Sequence, residues 1–136
     1  MKQLLGVPQI PVSWGELIDK ITILMIKKEK ITAPRALSNV ENELKLLSQI
    51  VLEHEGVAKL IETQQAQLLD VNQRLWQVED DIRQKDLMGD FDSNFINLAK
   101  MVYRLNDERS LVKKSINEVL NSALSEEKSY AHFQSK

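Results

Sequence analysis

The chain has 136 residues, 43% hydrophobic and 28% charged, with 18 basic residues against 20 acidic and a net charge of −2. That composition suits one domain, residues 1–136, and with no basic excess to draw in phosphate backbones, nucleic acid is not an expected partner. Cysteine is absent, which excludes disulfides, thiolate catalysis and thiolate zinc sites and agrees with a cytoplasmic location.

Residues 1–12, with Gly6, Pro8 and Pro11, read as an extended arm laid along the rest, with Ile10 and Val12 packed. Ser13 and Glu16 then form an S-x-x-E capping box, and Val12 and Leu17 stand where a hydrophobic staple closes. The helix that follows, about 14–31, carries Leu17, Ile18, Ile21, Ile23, Leu24, Met25 and Ile26 on most of its circumference. Glu16, Asp19, Lys20 and Lys27 leave only a thin polar stripe, so other helices should surround it. Its longest apolar run, Ile21 to Ile26, is too short to span a bilayer. Thr32-Ala33-Pro34 breaks it. A second short helix, about 35–53, has the seam Leu37, Val40, Leu44, Leu47 and Val51, and Gly56 is a natural stop.

Two long helices are expected next. Val57, Ile61, Gln64, Leu68, Val71, Leu75, Val78 and Ile82 recur at steps of three and four over about 57–87. The pattern resumes through Phe95, Leu98, Val102, Leu105, Arg109, Val112 and Ile116 over about 92–122. The short polar break Leu87-Met88-Gly89-Asp90 makes them a hairpin, and residues 125–136 read as an irregular tail. The fold class is therefore an all-α antiparallel bundle with two long and two shorter helices. At ~1.5 Å of rise per residue the long helices reach roughly 45 Å, about twice the short pair. Trp76, Val78, Ile82, Phe95, Leu98 and Val102 should then lie on a projecting arm. Two such arms packing as four helices would make a homodimer.

Arg109 interrupts an apolar seam and must find a carboxylate or water. Counted back from the turn, it is level with Asp70 and Val71, and Asn106 with Asn72. Asp70, Asn72, Asn106, Asp107 and Arg109 form the candidate polar layer, either a register-fixing pair or part of an anion or sugar site. Acidic pairs such as Glu16-x-x-Asp19 lack the further motifs a magnesium site needs, and His54 and His132 stand alone, so neither a metal nor a cofactor is expected. No nucleophile elbow, P-loop or G-x-G-x-x-G occurs, and the reading leans away from an enzyme.

The stretches PVSWGELIDKITILMIKKEKI, VNQRLWQVEDDIR, FDSNFINLAKMVYRLNDERS, INEVLNS and EEKSYAHF resemble an uncharacterised bacterial domain-of-unknown-function family of small helical proteins. Met25 and Glu108 depart from its pattern, where an acidic residue and an arginine are expected. The family has no activity to carry over. Its members are encoded often near glycosyltransferase and lipopolysaccharide genes, which implies a role in surface-polysaccharide assembly and a glycosyltransferase-like protein partner. Retention of EEKSY in the resemblance adds Lys128 and Tyr130 to the candidate binding residues. The expectation is a dimeric helical binding or accessory module. The alternative is a small-ligand protein or enzyme acting on a nucleotide, nucleotide sugar or small carboxylate through the polar layer.

Overall fold

The computed structural model describes residues 5–129, and within them every regular element is a helix. They are α1 Trp14–Lys30, α2 Pro34–Leu52, α3 Val57–Leu60, α4 Glu62–Leu87 and α5 Ser93–Val119. The Ser13 hydroxyl accepts from the Glu16 N–H at 3.1 Å, capping α1 as the sequence predicts. Asp92 does the same for α5, accepting from the Phe95 N–H at 2.9 Å. Gly56, at φ 83°, takes the left-handed conformation that ends the α2 region.

The predicted single helix over 57–87 is interrupted at Ile61, whose φ −111° and ψ 13° leave the helical region. The interruption turns Ile61, fully buried, into the core beside Leu17, Ile18, Val51, Leu68 and Ile116. Ile18, Ile61, Leu68 and Ile116 are each excluded from solvent, a contribution of roughly 1.5–3 kcal/mol per side chain. α5 ends three residues earlier than periodicity suggests. Asn121, at φ 50°, and the Ser122 N–H bonded to the Asn117 carbonyl at 2.8 Å close it as a Schellman turn.

α4 and α5 form the hairpin and share the most extensive interface, while α1 packs against both of them and against α2. α1 is thus the middle layer, which explains why apolar side chains cover most of its circumference. It runs antiparallel to α5: the Trp14 and Gly15 N–H groups donate to Ser122 Oγ at 3.2 Å and Asn117 Oδ1 at 2.7 Å, so the far end of the chain completes the cap of α1. Gly15 is required there, because a Cβ would collide with the Lys113 carbonyl oxygen.

The expected packing of the N-terminal arm does not occur. Ile10 and Val12 are 76% and 44% exposed. The projecting hairpin is present but shorter than expected. Trp76 stands beside Ile23 and Ile26 of α1, and a second small core of Val71, Leu75, Val78 and Leu105, flanked by Leu98 and Val102, continues between α4 and α5. At the tip, Gly89 (φ 65°) makes the turn and Lys85 Nζ clamps it, 3.1 Å from Asp90 and 3.0 Å from Asp92. No helix among the described residues is long and apolar enough to cross a membrane.

Candidate functional site

Arg109 enters the bundle from α5 and meets Asp19 of α1, which is fully buried. A buried carboxylate needs a full set of partners, and Asp19 has them. Arg109 Nε donates to Asp19 Oδ1 at 2.9 Å and its Nη2 pairs with Oδ2. Asn72 Nδ2 donates to Asp19 Oδ1 and to Thr22 Oγ1, each at 2.9 Å, and the Thr22 hydroxyl donates to the Asp19 carbonyl at 2.8 Å. Asn106 Oδ1 lies 3.4 Å from Arg109 Nη1, with Asn106 itself held on the Val102 carbonyl. The hydrogen bonds it donates to Asp19 raise the Arg109 pKa above its usual value. Among the described residues no buried side-chain polar atom lacks a partner.

One helical turn along α5, Lys113 is the second centre. Its Nζ lies 2.8 Å from Glu16 and 2.7 Å from Glu126. Burial alone would lower the Lys113 pKa, but the hydrogen bonds to Glu126 and Glu16 outweigh it and the net shift is upward. The same ammonium holds the Glu126 carboxyl below its usual value. Lys128, on the same returning segment, points its Nζ at the Asn106 carbonyl at 3.4 Å. The tail therefore doubles back along α5.

Two cavities meet at Asn106 and Arg109. One, of about 520 Å³, has an apolar floor of Ile23, Ile26, Leu75 and Trp76 and a rim of Glu79, Asp80 and Arg83. The other, an open one of about 260 Å³, is lined also by Glu16, Ser110, Lys113, Glu126 and Lys128. A guanidinium has five N–H donors, and three go to Asp19 and Asn106. Two remain for the cavities, where the arrangement can hold an oxygen acceptor or an anion.

Of the residues singled out in the sequence, Asn72, Asn106, Arg109 and Lys128 come together here. Asp70 does not. It faces outward, pairs with Arg74 at 3.1 Å, and lines a separate cavity of about 340 Å³ beside Glu108. Asp107 is half-buried and takes no part in the network, and Tyr130 lies outside the described residues. Hairpin counting predicts level along the axis, but each residue also rotates by about 100°, and that rotation carries Asp70 off the face where Asn72 meets α1.

A model of the family of unknown function DUF6165 matches residues 9–136. The chain belongs to this family. No curated protein and no solved structure matches it. In this DUF6165 chain the residues that sequence reasoning missed are Asp19, Thr22, Lys113 and Glu126. Asp19 reads as part of a solvated stripe, and its only sequence signal is its place on a helix otherwise apolar on nearly every side. Lys113 carries no such signal, and Glu126 has only its place in the EEKSY stretch, since their meeting depends on the turn at Asn121. No group of three or more His, Cys, Asp or Glu able to hold a metal occurs among the described residues.

Proposed function

We propose that this protein is a helical binding module that self-associates through the free end of the α4–α5 hairpin. The observation that carries this is the exposure of Leu87, Met88, Phe91 and Ile96 at 81%, 76%, 59% and 51% around a single turn. Scattered apolar side chains on a surface need no explanation, but a contiguous group on a projecting element marks a place where another surface fits. Phe91 and Phe95 stand edge to face with centroids 5.0 Å apart, and Lys85 bridges Asp90 and Asp92 across the turn. A twofold pairing of two hairpins would bury the same patch on each copy. The cytoplasmic setting belongs to this reading through the absence of cysteine and of a bilayer-spanning apolar run in the sequence, and the glycosyltransferase-like partner through the family resemblance alone.

The test is a Met88→Ser, Phe91→Ser, Ile96→Ser variant compared with the wild type by light scattering after gel filtration. The wild type should run as a dimer and the variant as a monomer with unchanged far-UV circular dichroism. A monomeric wild type across micromolar to millimolar concentrations would defeat the proposal.

A second reading is supported by the two cavities at Arg109. In it the protein binds a small polar or anionic molecule against the remaining guanidinium donors, with Asn106 and Ser110 as neighbours. Titration with small anions, followed by thermal stabilisation, tests it.

A further inference from the structure

The 260 Å³ cavity already holds one carboxylate that arrives from elsewhere in the chain. Glu16 and Glu126 both contact Lys113, but they are held very differently. Glu16 sits in the first turn of α1, whose leading N–H groups are capped by Ser13, Asn117 and Ser122. Glu126 comes from a segment with no helix or strand, 48% exposed at its side chain. The last backbone hydrogen bond before it is the Ser122 N–H on the Asn117 carbonyl. Between Ser122 and residue 129 the described contacts of the tail include Glu126 on Lys113 and Lys128 on the Asn106 carbonyl. Lys113, by contrast, is 8% exposed and is anchored in the middle of α5. The cation is built into the bundle, and one of its two carboxylates is tethered.

We infer that this cavity is an oxyanion site whose resident occupant is the Glu126 carboxylate, and that a small carboxylate or phosphate binds by replacing Glu126 on Lys113. The inference rests on the second reading above and adds to it the site's residues, its ligand class and its regulation. Lys113 would supply the charge, Arg109 its unspent N–H donors, and Ser110 a hydroxyl at the cavity wall. The hydrogen bond to Lys113 holds the Glu126 pKa below its usual value, in agreement with a carboxylate that is ionised throughout the neutral range and so competes for the site at every such pH. The tail would act as a competitive latch. A ligand that must first open a closed state loses apparent affinity by the fraction of protein that is open.

The experiment compares wild type, Glu126→Gln, Ser110→Ala and the double variant Lys113→Arg, Glu126→Gln, each as the full chain, by calorimetric titration with inorganic phosphate and separately with malonate at constant ionic strength. Breaking an ion pair at the upper end of the range for partly exposed pairs should make Glu126→Gln bind about fivefold more tightly than wild type. Ser110→Ala should bind more weakly than wild type, and Lys113→Arg in the Glu126→Gln background should retain binding. Whichever of phosphate and malonate binds more tightly identifies the ligand's source chemistry. Equal affinity of wild type and Glu126→Gln would overturn the latch while leaving a ligand site standing. No binding of either anion to any of the folded variants would overturn both.

Discussion

Replacing Asp19 with alanine should be among the most damaging substitutions in the chain. It removes the partner of Arg109, one of the two acceptors of Asn72, and the only fully buried carboxylate among the described residues. Breaking a buried ion pair by deleting one member costs about 3–5 kcal/mol, because the other charge is left uncompensated. Arg109 keeps 28% of its side-chain surface in solvent, so its guanidinium can partly rehydrate and the loss belongs at the lower end, about 3 kcal/mol. For a chain of 136 residues that corresponds to a fall in Tm of about 10 °C. The assay is urea unfolding followed by far-UV circular dichroism at one fixed protein concentration, since self-association would otherwise shift the midpoint. The double variant Asp19→Leu, Arg109→Met should recover part of the loss, because removing both charges leaves no charge unpaired, although Asn72 still loses one of its two acceptors. A stability for Asp19→Ala within about 0.5 kcal/mol of wild type would refute the reasoning and assign the pair to a solvated surface.

Three further outcomes follow from the same structure. Gly15→Ala should destabilise by about 1–2 kcal/mol, since the gain of about 1 kcal/mol in helix propensity is exceeded by a clash with the Lys113 carbonyl and a Cβ contact of 3.0 Å to Asn117 Oδ1; urea unfolding reads the sign. Ser13→Ala should cost about 1 kcal/mol through loss of the hydrogen bond to the Glu16 N–H, measured the same way. The Glu126–Lys113 pair gives a pH dependence with a definite sign. Glu126 is held below its ordinary 4.5, so its contribution is complete above that pH and fades as pH falls through the lower folded-state value. Lys113 is raised above its ordinary 10.5, so its contribution is complete below that pH and fades as pH climbs through the higher folded-state value. The stability difference between wild type and Glu126→Gln should therefore be flat across the neutral range and shrink in acid; a constant difference down to the most acidic pH at which the chain still folds would contradict the assignment.

The helices were legible because their causes are local. Apolar spacing, the Ser13 cap, the Asp92 cap, the break at Pro34 and the left-handed Gly56 each act within a few residues, and the structure places α1, α2, α4 and α5 accordingly. The interruption at Ile61 was not legible, since the apolar pattern runs through it and only packing against α1 and α2 decides where the chain bends. The candidate site divides along the same line. Arg109 announced itself by breaking a seam, and Asn72 and Asn106 followed from hairpin arithmetic. Asp19 could not be found that way. Its partner lies 90 positions along the chain, and the register of α1 against the hairpin is set by three-dimensional contacts such as Gly15 on Lys113. Asp70 fails for the complementary reason. The count along the helix axis was sound, but the helical phase turns it toward Arg74.

Sedimentation equilibrium of the wild-type protein over micromolar to millimolar concentrations tests the central claim most directly. The exposed tip formed by Leu87, Met88, Phe91 and Ile96 predicts twice the monomer mass, reverting to the monomer mass when Met88, Phe91 and Ile96 are changed to serine. A wild-type chain that stays at the monomer mass throughout would contradict the account.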